Sequence, residues 1–312
     1  MRKIICAFCV IAFTSLFLLN CSSDEYCDEY SEDDLELSIP EQYKIIGGKH
    51  NEGLEFAFEA IKSHYISVST RNSSSKISVM SKEDLLALGK QAAIEFSVKN
   101  TSDVPEGFCA EIINKSEKIA TRSIDSSVSP KVEAYIKMID DALKNEPKSP
   151  NNLLAKLNRI NEHASLNLSE QDAIAVYAGT ATCYNSYIYW KENFMKWVIA
   201  IKFPELLAQY SDDELNTFQF IDGKLMAPKV ATRGWWDDAW SSVGETWDSV
   251  CNTATDWWNN GGGKEVVGAD AGGAVVGAMD GAWGGGPGAV AGGISGACYG
   301  SIGAAIAEWI SK

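Results

Sequence analysis

Glycine returns at every fourth position along the C-terminal part of this chain, at 273, 277, 281 and 285 and again at 284, 288, 292, 296 and 300. Small residues at that spacing let two helix backbones approach closely. On a helix of 3.6 residues per turn a step of four drifts by about 40° per repeat, so the seam wraps and favours tilted, right-handed crossings. Gly284-Gly-Gly-Pro287-Gly288 breaks the run with turn chemistry. The pattern predicts a glycine-zipper helical hairpin within 261–312, with 264–283 as one arm and 288–310 as the other. At 1.5 Å per residue the arms reach ~30 Å and ~34 Å, close to the hydrocarbon thickness of a bilayer.

Between Val266 and Ala307 the only charges are Asp270 and Asp280. Each interior glycine costs a helix about 1 kcal/mol relative to alanine, so water alone does not hold such a segment helical. A bilayer reverses that balance, because an unpaired backbone group in hydrocarbon costs several kcal/mol. The two aspartates oppose insertion by roughly 2.5–3.5 kcal/mol each. Assembly of several hairpins around a shared wet interior relieves that cost, so the expectation is a homo-oligomer once inserted.

Composition changes sharply at Arg233. Eight of ten tryptophans and nineteen of twenty-six glycines lie in 234–312, where leucine and phenylalanine are absent. Trp236, Trp240, Val243, Trp247, Val250, Ala254 and Trp257 follow at steps of three or four, and Asp237, Asp238, Glu245, Asp248 and Asp256 fall between them. This predicts an amphipathic helix over 234–260 with a tryptophan stripe suited to a membrane interface or to docking on the rest of the chain.

Helical signals dominate 40–226, which is expected to form one mainly α domain. Ser81-Lys-Glu-Asp84, Pro130 and Ser169-Glu-Gln-Asp172 each open a helix, and the last is expected to run from Glu170 to about Phe203, before Pro204. Residues 66–70 and 76–80 alternate as a small β-hairpin around Asn72-Ser73-Ser74, and Gly47-Gly48 reads as a turn. Cys109 and His163 have no local motif that would make them a nucleophile and its base, and the three histidines are scattered singly. No enzymatic role, metal or cofactor is expected. A net charge of −15 leaves no basic patch for phosphates, which argues against nucleic-acid binding.

At the other end, Arg2 and Lys3 precede an apolar run from Ile4 to Leu19, the pattern of an export signal over 1–20. Leu18-Leu19-Asn20-Cys21 resembles a bacterial lipobox, which implies lipidation of Cys21. The acidic stretch that follows, 21–39, reads as a solvated tether and resembles the surface-export signal of Bacteroidetes lipoproteins. That likeness implies a lipid-anchored, surface-exposed protein on the outer membrane. Cys251 and Cys298 are the only thiols beyond Arg233, so a bridge between them is the natural pairing in an oxidising compartment.

Residues 227–233, Ala-Pro-Lys-Val-Ala-Thr-Arg, lie between the two compositions and precede Gly234, an arrangement open to a protease with an arginine pocket. With the signal, this junction and the zippered tail together, the chain resembles a lipoprotein bacteriocin precursor of gut Bacteroidetes. In such precursors a clostripain-like cysteine protease releases a toxin from a larger inactive form. The resemblance implies cleavage between Arg233 and Gly234 and attack by the freed segment on the membranes of related competitors. Since 234–312 carries nine acids against two bases, a surface receptor on the target is expected to replace nonspecific attraction. The alternative is a non-toxic envelope or adhesion lipoprotein whose hairpin is a permanent anchor.

Overall fold

Serines set the starts of the helices. The Oγ atoms of Ser81, Ser129, Ser149 and Ser169 accept the backbone N–H of Asp84, Val132, Asn152 and Asp172. Each such cap satisfies an N–H that the helix leaves orphaned and is worth about 1 kcal/mol. A computed structural model describes residues 36–71, 78–101, 104–105, 107–120, 128–145, 149–221, 224–226 and 262–311. The expectations for the signal peptide, Cys21, most of the tether, the 227–233 linker, Arg233, Gly234, Trp236, Trp240, Trp247, Trp257 and Cys251 lie outside these residues.

The fold is mainly α. Helices α1 (Glu41–Arg71), α2 (Lys82–Asn100), α3 (Phe108–Ala120), α4 (Pro130–Lys144), α5 (Pro150–Asn167) and α6 (Glu170–Lys202) are followed by a short α7 (Asp212–Asn216). Strands β1 (Gln219–Ile221) and β2 (Lys224–Met226) then pair antiparallel, with Phe220 opposite Leu225. The chain ends in α8 (Gly262–Gly281) and α9 (Gly285–Ser311). Leu37–Lys312 form one unit, with α6 and the α8–α9 hairpin at its centre. The tether is shorter than its sequence suggests, because Leu37 is buried and the Ser38 N–H donates to Asn158 Oδ1 at 2.7 Å.

Two local expectations are corrected. Residues 66–70 are the last turns of α1, not a strand, and 78–80 do not pair with them. Alternating β-branched residues yield here to burial at helical spacing, since Ile61 and Tyr65 are in the core and Tyr65 Oη accepts the Met80 N–H at 3.0 Å. Gly47 and Gly48 sit inside α1 rather than in a turn. A Cβ at Gly47 would overlap the carbonyl oxygen of Ala181 on α6, so the residue serves close helix approach.

Helix α6 changes character along its length. Its first half is small (Ala175, Ala178, Gly179, Ala181, Thr182) and admits α8, whereas its second half buries Tyr187, Trp190 and Trp197. Trp190 packs edge-on against Trp309 of α9, with ring centroids 5.6 Å apart. The Lys196 ammonium meets both oxygens of Glu55 at 2.6 and 2.7 Å and lies over the Phe58 ring, which ties the end of α6 to α1.

The hairpin closes one step earlier than its glycines suggest. Its arms are Gly262–Gly281 and Gly285–Ser311, joined by the 3-10 turn Ala282–Gly284. Gly285 makes the turn at φ +71°, a region that L side chains rarely adopt. Pro287 falls in the first turn of α9, where its missing N–H costs nothing. The two glycine rows face one another. A Cβ at Gly273, Gly277 or Gly281 would overlap the carbonyl oxygen of Gly296, Gly292 or Gly288, and the reverse holds for each partner. At Gly300 the obstacle is the Ala269 oxygen, 2.8 Å away.

The remaining helices wrap this hairpin. Gly179 accepts the Val275 methyl at what would be 2.5 Å from a Cβ, and the Ile46 and Ala178 side chains meet Gly293. Gly262–Trp309 is, among the described residues, the stretch apolar and long enough to cross a membrane, and 89% of its most apolar window is buried within the protein. Gly277→Val forces a branched side chain into the backbone of α9 and is expected to lower stability by about 2–4 kcal/mol in urea unfolding. Gly284→Ala, which meets nothing within 4 Å, should change it by less than about 1 kcal/mol.

Candidate functional site: a buried clasp on the hairpin

An aspartate in an apolar helix must find donors or lose several kcal/mol to desolvation. Asp270 finds them in the surrounding domain. Its Oδ2 accepts the Ser186 hydroxyl and the Trp190 Nε1–H, the latter at 3.2 Å, both from α6. His50 Nε2 of α1 lies 3.6 Å from the same oxygen. Ser301 of α9 completes the cluster, with its Oγ 3.2 Å from His50 Nε2 and 3.3 Å from Trp190 Nε1. The side chains of His50 and Asp270 are 0% exposed. Asp270 Oδ1 has no hydrogen-bond partner among the described residues.

The proton positions follow from the periphery. The Asn51 amide donates to the Asn185 carbonyl at 3.2 Å, which turns Asn51 Oδ1 towards His50 Nδ1 at 2.9 Å. Nδ1 therefore carries the proton and donates to Asn51, and Nε2 accepts the Ser301 hydroxyl. Burial lowers the His50 pKa from 6.5 to about 4, against the raising effect of the Asn51 bond. The imidazole is thus neutral at pH 7. Cys298 Sγ, 3.8 Å from the His50 carbonyl, is a free buried thiol in the same layer. Its expected partner Cys251 lies outside the described residues.

Serine, histidine and aspartate together invite comparison with a nucleophilic triad, and the geometry is not one. Ser301 and Asp270 approach the same imidazole nitrogen, whereas a triad needs the acid on the other. Ser301 is also fully buried, so no substrate reaches its hydroxyl. The cluster is a fastener that joins α1, α6, α8 and α9. Cys109 and His163 are likewise kept apart by separate partners, Thr101 Oγ1 at 3.4 Å for the thiol and Tyr135 Oη at 2.7 Å for the imidazole.

The second hairpin charge is also met from outside the hairpin. Lys115 of α3 sits 3.4 Å from Asp280, which is only 19% exposed. Each aspartate that opposes membrane insertion is therefore met by the domain encoded before Arg233, Asp270 by hydrogen bonds and Asp280 by an ion pair. All seven zipper glycines singled out in sequence, Gly273, Gly277, Gly281, Gly288, Gly292, Gly296 and Gly300, lie on the hairpin's internal seam. Sequence reasoning did not find His50, Ser186 or Trp190. The one available signal was Asp270 itself, since a carboxylate in an apolar helix requires partners somewhere.

The clasp makes a pH-dependent prediction. His50 binds its proton less readily in the fold, so its contribution to stability is full above pH 6.5 and is lost as the pH falls towards 4. Burial raises the Asp270 carboxyl, which acts with the opposite sign in this window but is shared by both proteins, so relative to His50→Gln the wild type should lose on the order of 3 kcal/mol in urea unfolding. Parallel pH curves for the two proteins would contradict a neutral, buried imidazole. At pH 7, Ser186→Ala should cost about 1–3 kcal/mol, by removing a donor from a buried carboxyl.

Comparison of the chain with protein families, with curated proteins and with solved structures finds no match.

Proposed function

We propose that this chain is a lipid-anchored, surface-exposed protoxin. In this reading residues 37–226 are a pro-domain that stores a membrane-active hairpin, and cleavage between Arg233 and Gly234 by an arginine-specific, clostripain-like cysteine protease separates the two covalently. The freed 234–312 segment then damages the membranes of related competing bacteria, with a surface receptor directing it and self-assembly completing the lesion. No catalytic chemistry is assigned to the chain itself.

One observation carries the reading: the hairpin's two aspartates are both paired by residues that precede the junction. A hairpin of bilayer length whose arms are buried, and whose aspartates are met, by the preceding part of the chain is in the state that storage before insertion requires. The packing also refines the order of events. A cut at Arg233 leaves the seam, the clasp and the Trp190–Trp309 contact in place, so it yields a nicked complex and not free parts. Transfer of the hairpin then needs a bilayer, or a receptor on it, to offer the burial that the pro-domain supplies.

The test treats the purified protein with an arginine-specific clostripain-like protease, sequences the new N-termini, and applies uncut, cut and Arg233→Ala forms to related strains. Killing is expected only with a fragment that begins at Gly234, and not with Arg233→Ala. Before membranes are added, the cut protein should still migrate as one species. If cut and uncut protein are equally inert across a broad panel, the hairpin is a permanent structural element and the protoxin reading fails.

A further inference from the structure

The hairpin is covered along its length and bare at its turn. Trp283, in the turn, is 90% exposed. Three other large apolar side chains are exposed on helix ends close by: Ile45 at 51%, Val98 at 57% and Leu166 at 78%. A groove of about 410 Å³ joins the start of α1, the end of α2 and the start of α9 here, lined by Ile45, Thr101, Val104, Pro287 and Val290. Beside it, a second depression brings Pro40 and Tyr43 together with Ser165 and Leu168, at the end of α5 that carries Leu166.

The chain enters the domain at this same end. Leu37 is buried, Ser38 is fixed to Asn158, and Tyr43 stacks obliquely on Tyr177 with centroids 6.2 Å apart. Tyr43 Oη lies 4.0 Å from the point where a Cβ of Gly286 would stand. Residues 21–36 precede it, and fully extended they span ~55 Å. The long helices α1 and α6 run ~47–50 Å. A bilayer that holds an acyl chain on Cys21 can therefore meet the turn end with a relaxed tether, and the opposite end only with the tether stretched alongside the whole bundle.

Among the described residues the turn end carries no cluster of bases: Lys115 is shared by Glu111 at 3.2 Å and Asp280, and Glu170 lines the second depression. Glu41 pairs with Lys44 at 3.0 Å and Asp280 with Lys115 at 3.4 Å. A surface of this kind, apolar with an indole at its apex and without a basic cluster to draw it to anionic lipid, fits a zwitterionic headgroup layer, where tryptophan rings settle at the interface. We propose that the turn end of the bundle, with Trp283 at its apex, is a lipid-contact face of the uncleaved protein. It rests on the lipoprotein reading for the tether, and it presents the hairpin to a bilayer turn first. Insertion then begins at Gly281–Gly288 while the aspartates are still paired.

The experiment uses the uncleavable chain from residue 21 onward, with Cys21→Ser and Arg233→Ala, so neither acylation nor toxicity enters. Phosphatidylcholine vesicles are the probe and flotation is the readout. Trp283→Ser should lower the partition constant about tenfold, the scale expected for one buried aromatic side chain. Met226→Ser removes an exposed apolar group from the strand pair, which follows the α7 region anchored to the far ends of α1 and α6, and should leave binding unchanged. Equal urea midpoints will verify that both variants fold. Equal binding by Trp283→Ser and the parent would overturn the proposal. So would a parent that ignores vesicles yet forms a concentration-dependent dimer lost in Trp283→Ser, which would make the face a contact between copies. Incorporation of labelled palmitate at Cys21 in the unaltered protein is read separately, so failure of the lipoprotein reading and failure of the lipid-contact face are distinct results.

Discussion

A carboxyl group buried in a glycine-rich hairpin is the constraint on which this structure turns. The hairpin has an internal seam so tight that its glycines meet backbone to backbone, and within the hairpin the clasp draws on Ser301 of α9. Asp270 also accepts from outside the hairpin, from Ser186 and Trp190 of α6, and His50 of α1 stands beside them. Whatever holds those helices in place holds the hairpin too. The serine caps, the Lys196–Glu55 pair and the tryptophan cluster act on the clasp indirectly, by fixing where α6 and α1 lie.

This arrangement gives the hairpin two sets of contacts with different fates. The glycine seam is internal to residues 262–311 and can travel with them. The clasp, the Val275 and Cys298 side chains set against Gly179 of α6 and Gly53 of α1, and the Lys115 pair are shared with the preceding helices and are lost on separation. Breaking a buried polar cluster from one side is costly because the remaining groups are left without partners. Proteolysis changes none of these energies directly. It removes the covalent link, so that separation gains the translational freedom of two chains and a bilayer can compete for the hairpin.

Much of the architecture was legible in the sequence because its signals are local. Ser81, Ser169 and Pro130 mark helix starts through bonds made within one turn, and Pro204 ends α6 where expected. The four-residue glycine step likewise encodes a seam that needs no other part of the chain. The failures share a cause. The alternation at 66–70 and the glycine pair at 47–48 are local patterns overruled by distant burial, of Tyr65 in one case and of Gly47 against α6 in the other. The clasp was beyond reach for the same reason, since Ser186 and Trp190 precede Asp270 by 84 and 80 residues. Nothing in their immediate surroundings distinguishes them from ordinary helix residues.

The central claim is that the hairpin exchanges one burial partner for another, and amide hydrogen exchange measures that exchange segment by segment. It should be recorded on the uncut protein, on the protein cut at Arg233, and on the cut protein with vesicles made from lipids of a susceptible strain. The account predicts slow exchange throughout α6, α8 and α9 in the first two states. With vesicles present, α8 and α9 should stay protected while α6, which has lost the partner of its small-residue face, exchanges freely. Continued protection of α6 together with the hairpin would contradict the account, because it would mean that the two never part.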